Sequence, residues 1–420
     1  MDAELETVTI TKLVHGGQGL GELSDGRKVF VWNALPGETL KVRLIKRKHS
    51  YAEAIAEMVI AASPKRVTPK EANYLATSPW QILSFAAENE YKQQIVAELF
   101  NREKVVLPSI QPTQHDDREW RYRNKMEYSF WGDEDGIHLA LHERGSHSKR
   151  IVAGSALAMP VLDVAANVLC EQLSRIHTRA GDLKTIIVRS NQKGAVVAAL
   201  YTKLERFTEL ELPEGVQGLR VYYSNPKSPA SVPTELLYEL GDATLSDVLM
   251  GKSFVYNVDS FFQVNPPVFE QALSDIQQHC QAPAVVDMYA GVGTIGLSVA
   301  GQAVTLIESD PATAAMARIN AAHSGLRAIV DETTSEQALE HIMHDHPLLV
   351  DPPRAGLHEK VVAQILTTAP PVVYYLSCNP ATQARDCKRL EERYVIEAFS
   401  VYNFFPHTPH IESLAILRLL

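Results

Sequence analysis

Residues 284–300 read AVVDMYAGVGTIGLSVA, an apolar run that ends in Asp287, turns through Tyr289-Ala290-Gly291-Val292-Gly293 and continues as a helix. Glycines at 291 and 293 let a ligand approach the backbone at the carboxyl end of a strand, where open α/β sheets bind small molecules. One strand later, TLIESD puts Glu308 at the end of the next apolar run, where a carboxylate can accept both hydroxyls of a ribose. This pairing serves dinucleotides and S-adenosylmethionine alike, and alone it does not choose between them.

Outward from this stretch the pattern alternates: AVVDMYAG, TIGLSVA, AVTLIES, PATAAMARINAAH, PLLVDPP, LHEKVVAQIL, VVYYLSC and TQARDCKRL. Strand and helix in turn specify an α/β fold, a Rossmann-like doubly wound sheet with crossover helices, over residues 256–420. The closing run SLAILRLL is expected to return as an edge strand. Residues 1–62 are different: VTITKLV, KVFVW, TLKVRLI and AEAIAEMVI are short β-runs separated by HGGQGLGELSDGR and ALPGE turns. Runs of this kind suit a small closed barrel of the OB type, with Gly16, Gly17, Gly19 and Gly21 punctuating its turns. The order of these runs resembles the TRAM domain, an RNA-binding barrel. Residues 63–255 open with a linker, SPKRVTPK, and continue as an α+β region. Near its start, a helix at about 89–103 carries Tyr91, Ile95, Val96 and Leu99 at helical spacing and is expected to pack on the last domain.

The chain's 420 residues exceed one ordinary domain, and a 45% hydrophobic content can fill several cores. A formal charge of −10 argues against indiscriminate phosphate binding. Positive charge is nevertheless clustered, at Lys41, Arg43, Lys46, Arg47 and Lys48, and at Arg118, Arg121, Arg123 and Lys125 around Trp120 and Tyr122. Either cluster alone reads as a solvated face; two with interleaved aromatics suit nucleic acid. The acidic start MDAELETVTI is unlike a secretory leader, and no apolar run reaches membrane-spanning length, so a cytoplasmic protein with no membrane contact is expected. Cysteines at 170, 280, 378 and 387 form no close zinc-type doublet.

Two further stretches carry chemistry. DPPRAGL follows the buried run PLLV and sets Asp351 at a strand end, with two prolines fixing the chain. Pro-Pro alone is a rigid turn, and Arg354 stands where adenine-directed amino methyltransferases carry an aromatic. VVYYLSCNPATQARD sets Cys378 at another strand end, just before an Asn-Pro helix start. That helix N-terminus is expected to favour the thiolate. The other three cysteines read as small buried apolar residues.

The Asp287-x-x-x-Gly-x-Gly form resembles motif I of class I methyltransferases. DMYAGVGTIG, DPPRAGL, SCNPATQARD and FFPHTPHIESLAIL, in this order and preceded by FFQVNP at 261–266, look like the RNA 5-methyluridine methyltransferase family. The resemblance implies S-adenosyl-L-methionine as methyl donor, Cys378 as nucleophile and Glu412 as base. It also implies Gln263, Tyr289, Thr294, Glu308 and Asp351 at the cofactor, and Phe261, Gln263 and Asp351 at the target uracil. Phe262 reads as packing, and His407 and His410 receive no role. The substrate implied is structured RNA, with a lean toward ribosomal over transfer RNA, and no obligate protein partner is evident.

Many relatives in that family hold an iron-sulfur cluster with four cysteines. Glu71, Thr77 and Trp80 occupy three of those positions here and Ala156 lies near the fourth. Clusters need thiolates, so no cluster and no metal is expected, with Tyr74 and Trp80 filling the region by packing. Two rivals stay open: methylation of cytosine or adenine on the same fold, told apart by which base gains label, and a non-catalytic RNA-binding protein. Retention of Cys378, Glu412, Asp351 and Glu308 together speaks against the second.

Overall fold

In the computed structural model, residues 5–144, 148–228 and 230–420 are described; the first four residues of the acidic N-terminal stretch, Met1–Glu4, lie outside them. Strands β1 (Glu6–Leu13), β2 (Gly19–Glu22), β3 (Lys28–Trp32), β4 (Thr39–Arg47) and β5 (Tyr51–Ala61) close a barrel in the order β1-β2-β3-β5-β4. Alternation builds it: in β1, Val8 and Ile10 point inward while Thr7 and Thr9 face water.

A short helix α1 (Tyr74–Thr77) and the long helix α2 (Phe85–Arg102) follow. The central sheet is built from β6 (Lys125–Asp133), β7 (Gly136–His142), β8 (Lys149–Ile151), β9 (Leu183–Ser190), β10 (Val196–Thr202), β11 (Val216–Tyr223) and β12 (Glu235–Gly241), in the order β12-β11-β10-β9-β6-β7-β8. Helix α3 (Pro160–Arg175) packs on one face through Leu162, Ala166, Leu169 and Leu173. The other face meets the hairpin β13 (Thr244–Leu249) and β14 (Lys252–Asn257) and helix α4 (Pro266–His279), in a core that also takes in Val285, Leu306 and Leu414 of the last domain.

The C-terminal sheet comprises β15 (Ala284–Asp287), β16 (Ala303–Ile307), β17 (Arg327–Asp331), β18 (Leu348–Val350), β19 (Val372–Ser377), β20 (Tyr394–Tyr402) and β21 (Glu412–Leu419), with helices α5 (Thr294–Val299), α6 (Pro311–His323), α7 (Glu359–Thr368) and α8 (Pro380–Leu390). Its order is β17-β16-β15-β18-β19-β21-β20, with every strand parallel except β21, which runs antiparallel to both of its neighbours. The expected edge strand is thus interior: β21 lies between β19 and β20, and β20 is the edge. The β20–β21 hairpin enters the sheet through β21, whose backbone pairs with β19 on one side and β20 on the other, and the six consecutive buried residues from Glu412 to Leu417 suit a strand inside the sheet.

Helix α2 packs on α8 and shares a core with the C-terminal sheet through Ile95, Val96, Leu99 and Phe100. Among the described residues no helix is long and apolar enough to cross a membrane.

Candidate active site

Four acidic or thiol groups gather at the carboxyl edge of the parallel strands because of strand order alone. Asp287 ends β15, Asp351 follows β18, Cys378 follows β19, and Glu412 opens the antiparallel β21. The β19–β21 ladder ends at the Ser377–Ser413 pair; Cys378 and Glu412 are the next residues of the two segments, and the Glu412 charge acts on the Cys378 thiol. The Gln383 amide locks this junction: it donates to Tyr375 O (2.8 Å) and Ser413 O (3.1 Å) and accepts from Ser413 Oγ (2.7 Å).

The electrostatics differ from the sequence expectation for Cys378. Burial, followed by the Glu412 and Asp351 carboxylates, pushes its thiol up to about 12, and Arg354 opposes them. The start of α8 does not lower the thiol because burial, and then the two acidic side chains, outweigh the helix end. Asn379 meanwhile caps that helix, accepting from Ala381 N–H (3.2 Å), and donates its amide to Arg354 O (2.8 Å). Burial and then the Asp351 charge hold the Glu412 carboxyl well above the usual range; Glu412 is 3% exposed, and its Oε2 has no hydrogen-bond partner among the described residues. Asp351 is raised to about 7 by burial and the Asp287 charge.

On the donor side, Gly291 has φ +57° and open space where a Cβ would stand. The Glu308 carboxylate accepts from Gly291 N–H (2.9 Å) and Asp310 N–H (2.8 Å), which brings it to the glycine turn. Asp287 Oδ2 accepts from Gly296 N–H (2.9 Å), while its fully buried Oδ1 has no partner among the described residues. Tyr289 is half-buried and bonded to Ser335 Oγ (3.0 Å), and Thr294 is buried at the start of α5. An open glycine turn, a carboxylate at the second strand end and an orphaned buried oxygen fit a ribose-bearing donor. Gly296 has a different reason: a Cβ there would meet Leu306 at 2.8 Å and Val304 at 2.9 Å, so it lets α5 lie on β16.

Phe261 stands 63% exposed, whereas Phe262 is buried and stacked on Tyr256 at 4.0 Å, and Gln263 is buried. The positions aligned with cluster cysteines hold protein hydrogen bonds instead. Glu71 accepts from Ala156 N–H (2.6 Å) and from the Gln81 amide (2.7 Å), and Thr77 Oγ1 lies 3.3 Å from Ser78 Oγ. Trp80 is fully buried and Tyr74 half-buried.

Sequence reasoning missed what holds the 403–411 loop that delivers Glu412. Lys92 of α2, fully buried, donates to Asn403 Oδ1 (2.6 Å) and Phe405 O (3.1 Å) and pairs with Glu88 (2.8 Å). Glu88 in turn accepts from Asn403 Nδ2 (3.0 Å) and His407 N–H (2.8 Å). In the sequence, Glu88 and Lys92 at i,i+4 look like a solvated pair; nothing local signals their burial. The barrel also reaches this loop. Trp80 Nε1–H donates to Gly17 O (3.0 Å), Trp80 N–H to His407 O (3.1 Å), and Gly17 lies directly against Pro409. Gly17 therefore does more than punctuate the barrel: its missing side chain admits the catalytic-edge loop.

The comparisons agree with this arrangement. Residues 4–56 match the TRAM domain and residues 335–419 match tRNA (Uracil-5-)-methyltransferase. An uncharacterized RNA methyltransferase of Lactiplantibacillus plantarum is 31% identical, with 99% of this chain and 97% of the relative covered. The chain belongs to the RNA 5-methyluridine methyltransferase family. A second relative of this family, an uncharacterized RNA methyltransferase of Halalkalibacterium halodurans, is 30% identical over 98% of this chain and 96% of its own. The fold is that of the solved Pyrococcus abyssi tRNA (uracil-54, C5)-methyltransferase in complex with S-adenosyl-L-homocysteine, at TM-score 0.78 and 23% identity over 97% of this chain and 99% of that one. With the family come the enzyme class and S-adenosylmethionine as methyl donor. Among the described residues no three His, Cys, Asp or Glu side chains are grouped to hold a metal ion.

Proposed function

We propose that the chain methylates carbon 5 of a uridine in structured RNA through a covalent adduct, with Cys378 as nucleophile and Glu412 as base. The observation that carries the reading is the meeting, just beyond the last β19–β21 pair, of a thiol and a buried carboxyl whose Oε2 has no hydrogen-bond partner among the described residues. Carbon 5 of uracil is a weak nucleophile until sulfur adds at carbon 6 and forms an enolate. Cys378 supplies that addition, and Arg354 is the cation that favours its thiolate against the two acids. S-adenosylmethionine, when bound, offers an electrophilic methyl group on a sulfonium. Once carbon 5 bears both methyl and proton, Glu412 removes the proton and the sulfur leaves. Its raised proton affinity makes it a stronger base than an exposed carboxylate.

In this reading Glu308 holds the ribose, Tyr289 and Thr294 line the donor site, and Gln263 and Asp351 lie between donor and uracil. Phe261, projecting into solvent, stacks on a base flipped out of its helix. Residues 1–62 serve as the RNA-binding barrel, 63–255 as the recognition region and 256–420 as the catalytic domain. The test is incubation with 5-fluorouridine-substituted RNA and S-adenosylmethionine, because fluorine at carbon 5 cannot leave as a proton. A denaturant-stable protein–RNA adduct that vanishes in Cys378→Ala supports the reading, and sequencing the trapped RNA separates transfer from ribosomal substrates. Bound donor with no adduct from either RNA pool rejects it.

A further inference from the structure

Residues 257–263 carry the one projecting aromatic of the site, yet their hold comes from the central sheet. Arg189 of β9 is fully buried and forms no ion pair among the described residues. Its guanidinium donates to Asn257 O (3.3 Å), Ser260 O and Phe262 O (2.7 Å), three carbonyls that bracket Phe261. The same group lies over the rings of Tyr256 (4.8 Å) and Phe262 (5.9 Å). Other strands of that sheet grip the segment from outside. Asp259 accepts from Arg220 Nη1 (2.7 Å) of β11 and Tyr222 OH (2.6 Å), and Asn124 Nδ2 donates to Gln263 O (3.1 Å).

A buried charge costs free energy unless something satisfies it. Here Asp247 and Asp259 offset the charge through space without pairing with it, and the two Nη groups are spent on backbone carbonyls, which fixes main-chain geometry. Phe262 is pinned inward by the stack and Phe261, its neighbour, is thereby turned outward. We infer that Arg189 is a positioning residue for the target base: it sets Phe261 where an everted uracil stacks, and so couples the central sheet to the chemical step.

This rests on the proposed methylation, and its test separates the two. Arg189→Lys keeps the charge but loses the planar fork. Asp259→Asn loosens the same segment at a second anchor, its bonds to Arg220 and Tyr222. In wild type, Arg189→Lys, Asp259→Asn, Phe261→Ala and the Arg189→Lys/Phe261→Ala double variant, one measures adduct formation with 5-fluorouridine RNA, S-adenosyl-L-homocysteine affinity, and hydrogen exchange of residues 257–263. Arg189→Lys should slow the adduct ~10- to 100-fold, the scale set by misplacing a reacting group by about an ångström, with homocysteine-ligand affinity held within about threefold. It should speed exchange in 257–263 and add less than about twofold loss once Phe261 is gone, as coupled neighbours do. Wild-type exchange in Arg189→Lys and Asp259→Asn overturns the inference, and so do losses that multiply in the double variant. A wild-type protein that forms no adduct removes the proposed reaction and, with it, the coupling to chemistry; unchanged exchange with a normal adduct removes the Arg189 role alone.

Discussion

Gly16→Ala and Gly17→Ala alter adjacent residues with nearly the same left-handed backbone, φ +94° and +96°. Adding a Cβ in that region costs ~1–2 kcal/mol at either site. Their surroundings differ. Nothing lies within 4 Å of a Cβ at Gly16, whereas one at Gly17 would stand 2.4 Å and 2.8 Å from the Pro409 ring and 3.2 Å from Trp80 Nε1. The barrel must therefore lift from the 403–411 loop, an overpacking cost of ~1–3 kcal/mol. Lifting it stretches the buried Trp80 Nε1–H···O bond to Gly17, and an unsatisfied buried donor adds ~1–3 kcal/mol. Gly17→Ala should thus be about 2–6 kcal/mol less stable than Gly16→Ala, which isolates docking from backbone strain. Urea midpoints followed by tryptophan fluorescence read the difference. Because Pro409 lies just ahead of Glu412 in the chain, adduct formation should fall in Gly17→Ala and hold in Gly16→Ala. Equal midpoints and equal rates for the two variants would refute the claim that the barrel supports the catalytic loop.

Three further outcomes follow from the same geometry. The Cys378 thiol, raised from an ordinary 9.0 to about 12, holds roughly 1000-fold less thiolate at pH 7.5. Raising a thiol's pKa disfavours its anion, so alkylation of RNA-free Cys378 by iodoacetamide should climb about tenfold per pH unit; a plateau below pH 9 contradicts this, and Arg354→Gln should slow it further. Glu412→Gln should accumulate a methylated, denaturant-stable adduct on ordinary uridine RNA, seen by gel shift; normal turnover in that variant assigns the proton removal elsewhere. Lys92→Met leaves Glu88 buried beside the Glu412 loop and should lower stability by ~3–5 kcal/mol, with partial recovery in Glu88→Gln/Lys92→Met; a urea midpoint unchanged from wild type rejects the buried-pair account.

The sequence by itself determined most element types and singled out the positions proposed to carry chemistry. Period-2 alternation made the barrel readable, strand-helix alternation made the doubly wound sheet readable, and FFQVNP, DPPRAGL, SCNP and HTPHIE marked the edge where the acids and the thiol collect. These are local signals: each depends on residues within a few positions of one another. Only the tertiary structure decided the rest. SLAILRLL became an interior strand because its two backbone edges pair with β19 and β20, a pairing its own residues do not announce. The Cys378 thiol rose instead of falling because the fold buries it and then sets Glu412 and Asp351, both distant in the chain, beside it. Lys92, Arg189 and Gly17 look like a surface lysine, a strand arginine and a turn glycine until the fold buries them under the catalytic loop, the Phe261 segment and Pro409. Burial and charge at a site sum over all that surrounds it in space, and sequence distance does not record that sum.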